Sequence, residues 1–372
     1  MTTRLKDILA QLASRYPFTW AVPGDRVGLE VGHPETPVEK IMVALEATPQ
    51  VVAEAARRGV QVLLTHHPLL YQPLKEVRED QPAGELLAAL LRAGLALVSC
   101  HTNLDIAPGG LNYYLAQILK LTEVEVLSAT ARDPWCKLTV MVPVGYEERL
   151  LNTLSDAGLG LIGRYSHCSF ATRGQGTYRP LKGARPFKGE TGKLSRVQEV
   201  RLEVLAPESL LAAAVARLKE AHPYEEPAYD LYPLQNPGAP RGLGRVGRWR
   251  QPKPFSQVLS QIKKLFGVKI VKAWGQPPAA VQRLAVCGGS GGELISAALE
   301  KGAQVYLTGE VRHHQVPAGA LKDFAVLEVG HFASEAVFME PWAAQLRGLF
   351  DQAGMTVQVE VAVGQTSPFS YW

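Results

Sequence analysis

The sequence predicts an α/β core of mixed and parallel sheets with flanking helices, interrupted by an inserted α+β domain of the ferredoxin-like type. Three observations predict it. Short apolar runs alternate with helical stretches at both ends of the chain, the signature of β-α-β units. The middle instead reads β-α-β-β-α-β, the split pattern of a ferredoxin-like domain. The Asn236-Pro-Gly-Ala-Pro240 segment then marks a boundary before the first pattern resumes. The expected organisation is a first core half over 1–129, an insert over 130–236 and a second core half over 237–372.

In chain order, residues 1–20 mix polar and apolar positions as an amphipathic helix does, with none of the layout of a signal peptide. Lys40 to Leu45 is an apolar run fit for a buried strand. A helix follows from Thr48, its N-cap, with Pro49 at the first position, to Arg58. Val60 to Leu64 is a strand ending at Thr65-His66-His67-Pro68. Gly84 to Ala93 is an Ala/Leu-rich helix stopped by Gly94, and Leu95 to Ser99 is a strand ending at Cys100-His101. In the middle, strands are expected at 138–144, 165–171, 197–205 and 228–234, with helices at 147–157 and 207–221 and a Gly/Pro-rich stretch over 173–192. In the last part, a helix spans 255–266. Strands span 268–274, 284–287, 304–307 and 325–329, with a helix at 293–301.

Composition bounds the function. The chain has 372 residues and a formal net charge of +4, with 47% hydrophobic and 20% charged residues, so it is neither disordered nor supercharged. No dense Lys/Arg block suggests nucleic acid as a partner. No apolar run is long enough for a membrane span. Four cysteines are too few for a disulfide scaffold, and the lack of a CxxC pair argues against a zinc knuckle, so a reducing, cytoplasmic location is expected.

The chemistry sits in histidines at strand ends, where open α/β sheets gather ligands. His66-His67, His101, His313-His314 and His331 form compact groups. His101 precedes Asp105 by four positions, and His331 precedes Glu335 by four at a helix start, a spacing that shares a helix face. A single histidine after a strand is commonly an ordinary loop residue. Three strand-end groups with carboxylate partners are a different case. Imidazoles and carboxylates are the ligand set for zinc, iron or manganese. Six ligands (His66, His67, His101, Asp105, His331 and Glu335) are too many for one tetrahedral catalytic ion and suit two divalent ions. Two such ions against two carboxylates leave positive charge that would favour an anionic substrate group. Glu310 and His314, at another strand end, are candidates for general acid/base work or for supporting the ligands.

Other motifs carry less. Gly242-x-Gly244-x-x-Gly247 follows a linker instead of a strand, so it is not a dinucleotide fingerprint. Gly288 to Gly292 reads as an anion cradle or as a tight turn. Cys100 reads as a buried thiol. His222-Pro-Tyr-Glu-Glu-Pro-Ala-Tyr-Asp230 reads as an extended turn into a strand.

Thr65-His-His-Pro68, Ser99 to Asp105, Pro108-Gly-Gly-Leu-Asn112, Cys287 to Gly292, Thr308-Gly-Glu310 and Gly330-His-x-x-Ser-Glu335 occur in this order. Together they resemble the Nif-three-like proteins, the type-two GTP cyclohydrolase homologues, over nearly the whole chain. The middle resembles the PII- or CutA-like insert of the family's long bacterial form. The family's N-terminal Trp-Asp-Asn-x-Gly-Leu motif stands here as Gly24-Asp-Arg-Val-Gly-Leu29. The resemblance implies a dinuclear metal centre on the same six residues and a toroidal homohexamer. The expected function is a metal-dependent hydrolase on a nucleotide-like substrate, with a small anionic or nucleotide-like ligand as partner. The alternative reading is a metal-binding regulatory or trafficking protein without turnover, whose insert binds a small molecule or partner.

Overall fold

Residues 2–316 and 321–369 are described by the structure, a computed structural model. The chain divides into two compact units, Met1–Thr130 with Arg241–Trp372, and Ala131–Pro240.

The first unit carries two sheets. One contains β1 (Gly28–Val31), β2 (Lys40–Ala44), β3 (Val62–Thr65), β4 (Ala96–Ser99) and β15 (Gln358–Val361) in the order β1-β4-β3-β2-β15. The last four run parallel, and β1 is antiparallel to β4. β3 and β4 are buried at every residue, as strands covered on both faces must be, which is why they read as unbroken apolar runs. The helix Pro49–Arg57 starts as its sequence requires: the Thr48 hydroxyl accepts the Val51 amide and proline stands at the first turn.

The second sheet has six strands: β5 (Thr122–Arg132), β10 (Pro240–Pro254), β11 (Lys272–Gln276), β12 (Ala280–Ser290), β13 (Val305–Glu310) and β14 (Phe324–Glu328). Their order is β11-β14-β13-β12-β10-β5, with β12, β13 and β14 parallel. Mixed α/β architecture is thus what the sequence predicts. Two long strands, β5 and β10, were not legible. β10 contains the Gly242 to Gly247 stretch, whose glycines and preceding prolines read as a linker. Pairing with β12 and β5 on either side overrides that local preference.

The second unit holds β6 (Trp135–Pro143), β7 (Ser169–Tyr178), β8 (Ser195–Pro207) and β9 (Tyr229–Pro233) in the order β7-β8-β6-β9, antiparallel throughout. Helices Glu147–Asp156 and Glu208–Ala221 connect β6 to β7 and β8 to β9. The strand expected at 165–171 lies later, over Ser169–Tyr178, and uses part of the Gly/Pro-rich stretch as a hairpin arm. No helix among the described residues is long and apolar enough to cross a membrane.

Candidate metal centre

Parallel strands end on a common edge, and that edge gathers the candidate residues. His66 and His67 follow β3. His101 follows β4, and Asp105 lies on the short helix Thr102–Ile106 just after it. From the other end of the sequence, the helix His331–Ala336 after β14 supplies His331 and Glu335 four residues apart.

These residues converge. The rings of His66 and His67 are 5.1 Å apart, His66 and His101 5.2 Å, His67 and His101 5.7 Å, and His67 and His331 5.3 Å. Two groups have ligand atoms within 4.8 Å of one another: His66, His67 and His101, and His67, His331 and Glu335. Asp105 joins the first, with Oδ1 3.6 Å from His66 Nε2. Glu335 faces both groups. Its Oε2 lies 2.9 Å from His67 Nε2 and 3.2 Å from His331 Nε2, and its Oε1 lies 3.6 Å from His66 Nε2.

The outer ring nitrogens decide which way these histidines face. His66 Nδ1 is 2.9 Å from the Cys100 carbonyl, which can only accept, so Nδ1 carries the proton and Nε2 a bare lone pair. His101 Nδ1 lies 2.7 Å from Asp25 Oδ1, and His331 Nδ1 lies 3.1 Å from Glu310 Oε2. His67 Nδ1 has the Glu46 carboxylate 3.9 Å away. An acceptor behind each imidazole, with Nε2 turned inward, is how metal-binding histidines are held.

The inner atoms complete a test of fit. His66 Nε2, Asp105 Oδ1 and Glu335 Oε2 are buried without a hydrogen-bond partner. The inner contacts are at ion-pair distance but are poorly aligned for hydrogen bonds. A bare nitrogen facing two carboxylates in a buried place is unfavourable unless a proton or a cation lies between them. Without a metal the protons respond accordingly. Burial opposes charge on His67, but Glu335 and Glu46 outweigh it and raise its pKa to about 10. Contact with Glu335 raises His331 to about 9 against its burial. Burial would raise Glu335, yet contacts with His331, His66 and His67 hold it well below the ordinary carboxylate range. Burial pushes Asp105 up. These donors are nitrogen and oxygen only, and they suit zinc, iron or manganese.

Gly289 lets β12 approach. Its φ is +63°, and a Cβ there would come within 2.3 Å of Glu335 Oε1. The first two amides of the Gly288 to Gly292 run are taken up inside the fold. The Gly288 amide donates to Asn112 Oδ1 and the Gly289 amide to Ser334 Oγ.

Glu310 lies at the end of β13 behind His331. His314 is exposed on the turn His313–Gln315 and lines a different hollow with Trp274 and Lys272. Among the described residues, no hydrogen bond or ion pair joins it to the histidine cluster.

Sequence reasoning missed Asp25 and Glu46. Asp25 also accepts the Thr102 amide and hydroxyl, and the His101 and Thr102 contacts hold its pKa low against burial. It is the aspartate retained in the divergent 24–29 segment. Glu46 directly follows the predicted strand 40–45, so the strand-end rule that selected the histidines also reaches it. These additions alter the charge count. With Asp25, Glu46 and Glu310 behind the imidazoles, five carboxylates stand formally against the four positive charges of two divalent ions. The excess positive charge expected from Asp105 and Glu335 alone is formally cancelled.

Such a centre, assembled from strand ends of two α/β sheets, defines a candidate His/carboxylate metal-binding protein. The chain belongs to the Duf34/NIF3 (NGG1p interacting factor 3) family, which it matches over residues 3–368. A Bacillus subtilis relative named GTP cyclohydrolase 1 type 2 homolog is 39% identical over 95% of each chain. A Mycobacterium leprae relative of the same name is 36% identical over 100% of this chain and 96% of its own. The crystal structure of a Bacillus cereus protein related to NIF3 superposes with a TM-score of 0.87 at 35% identity over the whole of both chains.

Proposed function

We propose that this protein is a dinuclear metal-dependent hydrolase acting on a nucleotide-like substrate, as the name shared by its relatives suggests. The observation that carries the reading is the ring of inward-facing Nε2 atoms, each backed by an acceptor, around the buried and unpartnered atoms of Asp105 and Glu335. His66, His67, His101, Asp105, His331 and Glu335 would hold the two ions, each imidazole giving one nitrogen and the Glu335 carboxylate facing both groups. Ions bound there would supply Lewis acidity and lower the pKa of water toward neutrality. The chain's own groups do the rest. Asp25 fixes the ring of His101, and the Cys100 carbonyl fixes His66. Glu310, half exposed behind His331, can take up or return a proton at its carboxylate. His314 holds an outer position, available only to a substrate large enough to reach it.

For a GTP cyclohydrolase reaction the bond opened is at C8 of the purine, with formate as a product. A phosphoester would be a different substrate for the same centre. Full-length protein loaded separately with zinc, iron or manganese and incubated with GTP should release formate, and His67→Ala should abolish it.

The second reading is a metal-binding regulatory or trafficking protein without turnover. The β7-β8-β6-β9 order of the insert is that of a ferredoxin-like unit, and the link to small-molecule sensing is by fold analogy with PII- and CutA-like domains. This reading gains if His67→Ala loses metal while no member of a broad nucleotide panel is turned over by the parent protein. A toroidal homohexamer is part of the proposal and is tested by light scattering. A cytoplasmic location fits four cysteines that are all unpaired.

A further inference from the structure

The insert contains a hollow of about 450 Å³, lined by Tyr178, Phe187 and Tyr224, by the carboxylates Glu199, Glu225 and Glu226, and by Arg185. Its size is in the range of small-molecule sites. Phe187 and Tyr224 have ring centres 5.8 Å apart at 45°, and Tyr178 and Tyr224 6.2 Å apart at 61°, so the rings form angled walls.

Glu199 gives the hollow its chemistry. It is only 9% exposed, and it takes part in no ion pair among the described residues. Among the described residues, its carboxylate accepts one hydrogen bond, from the Tyr224 hydroxyl at 2.8 Å to Oε1. The nearby histidine cannot serve as its counter-ion. His222 Nδ1 accepts the Tyr224 amide at 3.0 Å and Nε2 donates to the Met141 carbonyl at 3.0 Å, which fixes the ring as neutral. Gly176 makes room for the carboxylate, since a Cβ there would fall 1.9 Å from Glu199 Oε2. A buried carboxylate with one neutral partner lacks the compensation that buried charges ordinarily have. Aromatic faces beside it attract a cation for a separate reason, the negative face of the ring. Three carboxylates against one guanidinium leave the lining negative.

We propose that the insert binds a small organic cation, an amine or guanidinium seated on Phe187 and Tyr224 with its charge on Glu199. The His222-Pro-Tyr-Glu-Glu-Pro segment is then more than a turn. His222 is its anchor, fixing the backbone amide of Tyr224, and Tyr224 presents both ring and hydroxyl. The site lies wholly within the insert and is independent of whether the metal centre catalyses a reaction.

The test uses the full-length, metal-loaded protein, with agmatine and tetramethylammonium as probes and 1,4-butanediol and succinate as neutral and anionic controls, read by calorimetry. We expect saturable binding of at least one cation at about millimolar affinity or tighter and none of either control. Glu199→Gln should weaken cation binding about tenfold or more, the range of a hydrogen bond to a charged group. Phe187→Ala, on the surface loop, should weaken it without touching the carboxylate, and it decides the matter if Glu199→Gln fails to fold. Absence of cation binding up to about 10 mM overturns the proposal. So does equal binding of succinate, or cation binding unchanged in the variants that fold.

Discussion

His66 and His222 are both buried histidines at the end of a secondary-structure element, and their rings are used in opposite ways. In the insert, His222 spends both nitrogens on the backbone, and burial lowers its pKa. In the core, His66 spends only Nδ1. Its Nε2 faces Asp105 and Glu335, and although burial opposes the charge, these carboxylates raise its pKa. The difference separates a histidine that holds a chain in shape from one that is kept ready for a cation. Burial and position after a strand or helix do not distinguish the two; counting what each ring nitrogen meets does.

The contrast can be broken first at Glu335. Glu335→Gln removes the charge shared by both groups of ligands, and elemental analysis should find bound metal greatly reduced. The parent protein should gain about 4 kcal/mol from metal at a thousandfold excess over its dissociation constant, and the variant little of it. Equal metal content in the two proteins would refute the assignment of Glu335 as the shared ligand.

The pH response comes next. His67 and His331, raised from 6.5 to about 10 and about 9, are protonated in the metal-free protein at neutral pH. Their contribution to metal-free stability is full below 6.5 and is lost as pH rises through 9 to 10. Metal must displace those protons, so its affinity should rise over the same interval. Thermal melts across that range, with and without metal, should therefore diverge. A pH-stat should record proton release on metal addition near neutrality. Melts that run parallel would mean that neither imidazole is a ligand.

A smaller effect is expected at the acceptors behind the rings. Asp25→Asn should weaken metal binding about tenfold to a hundredfold, because the carboxylate that orients His101 is buried. Glu310→Gln should cost less, since Glu310 is half exposed. Competition with a metallochromic chelator measures both. His222→Ala should leave metal content unchanged and destabilise the insert alone by about 2 kcal/mol, through the unpaired Met141 carbonyl and Tyr224 amide. Hydrogen exchange confined to 131–240 would register it, and any loss of metal would break the comparison.

The same contrast explains what the sequence revealed. The helix predicted at 255–266 is observed at Phe255–Phe266, and the strand predicted at 325–329 at Phe324–Glu328, because apolar period and local preference agree there. β10 was hidden because glycine and proline argue locally against a strand that its neighbours impose. At the site, residues at strand ends with a partner four positions on were legible. The acceptors were not, because Asp25 meets His101 only through folding across 76 positions, and no spacing rule spans that distance. Glu199 was equally hidden, since its isolation depends on which rings and carbonyls surround it.

The metal cluster draws on both ends of the sequence, with the whole insert between them. During synthesis, His66, His67, His101 and Asp105 leave the ribosome long before His331 and Glu335. A nascent chain therefore presents three imidazoles and one carboxylate to passing cations while Glu335 has yet to be made. If an ion is captured early, it must be released or retained when the helix His331–Ala336 joins the cluster, and metal choice would then be a question of timing as well as of ligand chemistry.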